Sequence, residues 1–156
     1  MALTQSQLQL LKTAAVADPT AAAYIGNGDD QALANWLNAS QAGYLVWLPV
    51  LSTEQARAAI VKGIAQLDNL TVGKRDSLLW FFSESVTPTD PKVTEAIDAL
   101  CGTQNTIKTA LHDSLRRAAT RAEMLLATGP GTYASPGTLT FEGLFSAAQA
   151  STVRGV

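Results

Sequence analysis

The sequence predicts a mainly α protein: a compact bundle of about five or six helices over residues 1–127, then an extended C-terminal arm over residues 128–156 in which a short strand can form. Three observations predict it. Apolar residues recur at three- and four-residue spacing through most of the body, the period of one helix face. Helix-start signals (Thr-x-x-Gln, Ser-x-x-Gln, Asp-Pro) stand immediately ahead of these stripes. From Thr128 the composition turns to Gly, Pro, Ser and Thr, with a short apolar run through Leu139, Phe141, Leu144 and Phe145.

Thr4 and Gln7 form a capping box, each side chain satisfying a backbone N–H that the first helical turn leaves without a partner. Leu8, Leu11 and Ala15 then mark a buried stripe. Asp18-Pro19 ends this helix, because a residue before proline is pushed out of the helical region. Residues 20–29, containing Gly26-Asn27-Gly28, read as a connector. Asp29 or Asp30 caps a short helix with Leu33, Trp36 and Leu37 on one face.

Residues 41–51 are aromatic, β-branched and broken by Pro49, which predicts an irregular or briefly extended connector rather than a central strand. Ser52 and Gln55 open the next helix, with Ala56, Ala59, Ile60, Gly63, Ile64 and Leu67 as its stripe. Gly73 reads as a separator. The helix after it, with Leu78, Leu79, Trp80, Phe81 and Phe82, is apolar nearly all round, which predicts a central position. Asp90-Pro91 starts a helix carrying Val93, Ala96, Ile97 and Leu100, and Gly102 stops it. The last body helix is expected from about Thr106 to Ala127, through Ile107, Leu111, Leu115, Ala118, Ala122 and Leu125, and closed by Gly129.

At 156 residues one domain is the natural expectation. Charged residues make up only 15%, against roughly 25% in an average globular protein. Such a surface relies on Ala, Gln, Asn, Ser and Thr, or is covered by partners. The net charge of -2 supplies no field for nucleic acid or an anionic membrane. A single cysteine, Cys101, excludes an internal disulfide and a Cys-based zinc site, and fits a reducing cytoplasm. The N-terminus shows no signal-peptide pattern, and no run approaches the roughly 20 apolar residues of a membrane span.

No reaction is implied by the residues. His112 is the only histidine and reads as a surface or boundary residue, since a zinc site needs three or four ligands. Cys101 occupies a core-type position. The carboxylates read as helix caps or solvated faces, so catalytic, metal and cofactor residues are expected to be absent. Gly129-Pro130-Gly131-Thr132 follows a helix instead of opening one and lacks a lysine, which predicts a loop or hinge rather than a phosphate cradle. Arg116, Arg117 and Arg121 are the one basic cluster, with 117 and 121 on one face of the expected helix. They suit a solvated helix end, recognition of carboxylates on a partner subunit, or phosphate contact with DNA. Trp36, Trp47 and Trp80 read as core.

The segment ATRAEMLLATGPGTYASPGTLTFEG, Ala119–Gly143, resembles the C-terminal part of small structural proteins of tailed bacteriophages. There, a helix bearing Arg and Glu ends in a Gly/Thr/Ser-rich turn, followed by a Ser-Pro-x-Thr-Leu strand and Glu-Gly. Upstream, YLVWLPVLSTEQARAAI, the stretch from Lys74-Arg75-Asp76 to Phe82, and Asp90-Pro91-Lys92-Val93 are similar as well. The resemblance implies a virion protein of the head and neck region, similar to the head–tail adaptors that form a ring beneath the portal.

It further implies a non-enzymatic role at the head–tail junction, with assembly in the host bacterial cytoplasm. The partners implied are the portal protein, neighbouring copies of the chain and other neck or tail proteins. Non-specific contact with DNA in the channel is a further option, and no membrane is involved. The arm would dock by strand addition through Leu139, Phe141, Leu144 and Phe145, with Arg116, Arg117 and Arg121 as a ring contact. The alternatives are a tail terminator, a capsid-associated protein, or a non-virion assembly or regulatory module. A tail folded back on its own helices would favour that module.

Overall fold

The computed structural model describes residues 3–156. The protein is mainly helical, with nine α-helices, one 3-10 helix and a small two-stranded antiparallel sheet among the described residues. The helices are shorter and more numerous than expected. Two compact units divide the chain: residues up to Val46 together with Ala118–Val156, and Trp47–Arg117. Each has its own apolar core.

In the first unit, α1 (Gln5–Ala17) starts at the Thr4–Gln7 capping box. Asp18 ends α1 and at once caps α2 (Pro19–Asn27), its carboxylate accepting from the N–H groups of Thr20 and Ala21. The connector expected over residues 20–29 is therefore a helix, because Asp-Pro is a start signal as well as a stop. Helix α2 closes on Gly28 in the left-handed region, φ 69°, and α3 (Asp30–Asn38) begins at Asp29.

The chain then extends as β1 (Ser40–Trp47), which pairs with β2 (Arg116–Thr120). Residues 40–47 are thus a regular strand, ended just ahead of Pro49. The long helix expected from Thr106 to Ala127 is interrupted. Helix α7 (Asn105–Ser114) stops at Leu115, β2 follows, and α8 (Arg121–Leu126) restarts from a capping box made by Thr120 and Glu123.

The largest correction concerns residues 128–156. They are not a separate extended arm, because their apolar side chains complete the first unit's core. Phe141 and Phe145, 5% and 3% exposed, lie 5.1 Å apart among Leu8, Leu11, Leu33, Leu37 and Leu126. The Asn38 side chain donates to the Phe145 carbonyl at 2.8 Å and accepts from the Phe145 N–H at 2.7 Å. The chain ends in α9 (Ala147–Gly155), opened by a Ser146–Gln149 capping box and packed on α1 and α3. Arg154 on α9 forks onto Asp30 at 2.8 and 3.1 Å.

In the second unit, α4 (Thr53–Lys62) begins at the Ser52–Gln55 box and stops at Gly63. A Cβ at Gly63 would lie 2.4 Å from Ile107 Cγ1, so glycine is demanded by the close approach of α7. Ile64–Asn69 continues as a 3-10 helix, which turns Ile64 out to solvent while Leu67 still packs against the core. Helix α5 (Val72–Phe81) is capped by Thr71, and Gly73 lies inside its first turn rather than ahead of it. Nor is α5 central: Leu78 is its one buried residue, and Trp80 is 76% exposed. Helix α6 (Pro91–Cys101) runs from the Asp90 cap to Gly102 as expected. Leu51, Ile60, Leu78, Phe82, Ile97, Ile107 and Leu111 fill this core.

Candidate functional site

Because β2 interrupts the expected helix, Arg117 and Arg121 do not share a helix face: Arg117 lies in the strand and Arg121 starts α8. Side chains alternate along a strand, so Arg116 and Arg117 project to opposite faces. The Arg116 guanidinium lies 5.3 Å from the centre of the Trp47 ring. Arg121, at the start of α8, stacks 4.3 Å from Trp36 and donates to the Trp36 carbonyl at 3.2 Å. All three are half-buried, and Arg121 is spent on internal packing. Of the apolar tail positions, Phe141 and Phe145 are core, Leu139 is half-buried, and Leu144 is 69% exposed. Phe141 and Phe145, expected to bind a partner, are therefore core residues, and within the tail run only Leu144 faces solvent outright.

The glycine-rich segment is a loop, as expected, but one held as a clasp rather than free as a hinge. Thr128 and Thr138 exchange N–H to carbonyl bonds of 3.0 and 2.8 Å, closing the loop between them. The loop is tied to β1 by Leu45 N–H to Gly131 O at 2.7 Å and Gly137 N–H to Leu45 O at 2.8 Å. The Tyr44 ring fills the space beneath, and its hydroxyl donates to the Gly129 carbonyl at 2.7 Å. A Cβ on Gly131 would lie 2.3 Å from that ring and one on Gly137 2.8 Å. These glycines admit an aromatic ring; they do not confer freedom.

One cluster of titratable groups lies on α6 and α7. His112 Nε2 and Lys108 Nζ both sit 3.0 Å from Asp98 Oδ1. His112 first, and Lys108 second, hold the Asp98 carboxyl below its ordinary value of 3.8. A depressed folded pKa contributes stability that is complete above the unfolded value and lost as pH falls through the folded one. Asp98→Asn is therefore expected to be less stable than the parent chain near neutral pH. Denaturant melts should show that gap closing as pH falls below the ordinary carboxyl value of 3.8.

Cys101 is buried, and burial pushes its thiol up to about 11. The thiolate is the reactive form. The folded protein is thus expected to resist an aromatic disulfide reagent at about pH 8, and to react once unfolded in denaturant. Rapid labelling of the folded chain would contradict this burial. Among the described residues, no group of three or more His, Cys, Asp or Glu side chains is placed to hold a metal ion. Nor is any described helix long and apolar enough to cross a membrane.

Two helix faces present apolar groups outward. On α1, Gln5, Ser6, Gln9, Leu10, Thr13, Ala14 and Ala17 form one shallow uncharged face, with Val16 exposed beside it. The one charge on α1, Lys12, donates instead to the carbonyl of Val156. On α5, Val72, Leu79 and Trp80 face solvent. Sequence periodicity assigns Trp80 to a core; that α5 buries little except Leu78 follows only from the fold. No family model, curated protein or solved structure matches the chain.

Proposed function

We propose that the chain is a non-enzymatic structural protein of a tailed-phage virion, a ring-forming adaptor of the head–tail junction. The virion assignment comes from the resemblance of Ala119–Gly143 and the upstream segments. The observation that carries an assembly role is the α1 face, a two-sided helix whose outward side is uncharged and whose Leu10 and Val16 meet solvent. Monomeric surfaces normally break such faces with charge, and contiguous apolar surface marks interaction sites. Docking is therefore assigned to rigid helix faces rather than to a mobile arm, since Phe141 and Phe145 are not available for strand addition.

The mass of the chain in solution, alone and mixed with its phage's portal ring, tests this. A complex of fixed stoichiometry matched to the portal is expected, lost in a Leu10→Glu, Val16→Glu variant whose melting temperature is nearly unchanged. A second reading is a non-virion assembly or regulatory module, favoured by one observation: residues 128–156 fold onto their own unit. A monomer that ignores the portal would decide for it.

A further inference from the structure

We propose that the C-terminal end of α5 is a binding site for a cationic side chain, carried on an exposed basic segment of a partner protein. Trp80, Phe81, Glu84 and Val86 line one cleft there, with Ser83 and Ser85 at its polar edge. Phe81 is half-buried and fixed edge-on against Phe82, with ring centres 5.0 Å apart at 85°. Trp80 stands 76% exposed beside it.

Two carboxylates lie beside Trp80. Glu84 lines the cleft. Asp76 lies one helical turn before Trp80, and residues four apart on a helix are neighbours. Its own partner, Arg75, is a 3.7 Å surface contact, a kind worth little.

An exposed indole face flanked by carboxylates is matched by a guanidinium, which stacks on the ring while donating to the acids. The chain uses this chemistry internally, with Arg121 on Trp36 and Arg116 over Trp47. The third tryptophan, Trp80, is the exposed one. The site does not depend on ring formation, because it can be read in the free chain.

The test is a titration of the full 15N-labelled chain with a short flexible peptide bearing arginines, and with the same peptide bearing neutral citrulline. The Trp80 indole N–H signal is assigned by its loss in Trp80→Phe. It is expected to shift saturably with the arginine peptide and about tenfold more weakly with citrulline. A folded Asp76→Asn, Glu84→Gln variant should weaken the arginine response by a similar factor. No shift at Trp80, equal response to both peptides, or an unaltered response in the variant would overturn the proposal. So would a Trp80 shift that follows protein concentration without peptide, which would assign the patch to a second copy of the chain.

Discussion

Ending the chain at Ala127 is expected to unfold the first unit rather than to release an intact helical body. The deletion removes Phe141, Phe145, Ala150 and Val153 from the core and bares the faces of Leu8, Leu11, Leu33 and Leu37. Truncating a single buried phenylalanine typically costs about 3–5 kcal/mol, and a whole domain is stable by roughly 5–15 kcal/mol. Losing two phenylalanines and α9 together exceeds that margin. Circular dichroism should show the helical signal of residues 5–38 collapsing. The second unit draws its core from Leu51–Leu115 alone and should keep a cooperative melt. Full helicity in the truncated chain would show that the tail is dispensable.

Replacing Gly131 by alanine is expected to be the most damaging single-methyl change in the first unit. Two costs add there. Gly131 sits at φ 65°, where an L side chain is strained by about 1–2 kcal/mol. Its Cβ would also fall 2.3 Å from the Tyr44 ring, and overpacking costs about 1–3 kcal/mol. A total of about 3 kcal/mol lowers the melting temperature of a chain this size by roughly 6–12 °C. Removing the ring in the same chain, with Tyr44→Ala, should recover part of the loss, since the two sites are in contact and cannot be additive. Gly26→Ala is the control: nothing lies within 4 Å of its Cβ, and it sits inside α2. A helical glycine of that kind gains stability on becoming alanine. Equal melts for the two variants would mean that the clasp over Tyr44 is not packed as described.

Some helix starts are legible in the local sequence. Thr4–Gln7, Ser52–Gln55 and Asp90-Pro91 each mark a helix start at the position observed. The same patterns at Thr120–Glu123, Ser146–Gln149 and Asp18-Pro19 open three helices that the apolar period, taken alone, runs through or leaves as loop. A five-residue strand between two helices does not disturb that period enough to be seen: Leu115, Ala119 and Ala122 are buried in strand and helix alike.

The remaining differences are non-local. Nothing near Gly131 in the sequence announces that Tyr44 will lie beneath it, and so glycine reads as freedom where it is really clearance. Phe141 and Phe145 look like a portable apolar run because their partners, Leu11, Leu33 and Leu37, lie at the other end of the chain. Trp80 reads as core for the converse reason. Its helix is apolar, yet the fold brings nothing over that side. The candidate sites were therefore less legible than the helices, since exposure is a property of packing.

Native-state hydrogen exchange on the full chain tests most directly whether the tail belongs to the first unit. The account predicts that the Thr138 and Ala150 amides, bonded to Thr128 O and Ser146 O, exchange as slowly as the amides of α1 and α3. Exchange there at the rate of an unstructured peptide, with α1 and α3 still protected, would contradict it and restore a separable arm.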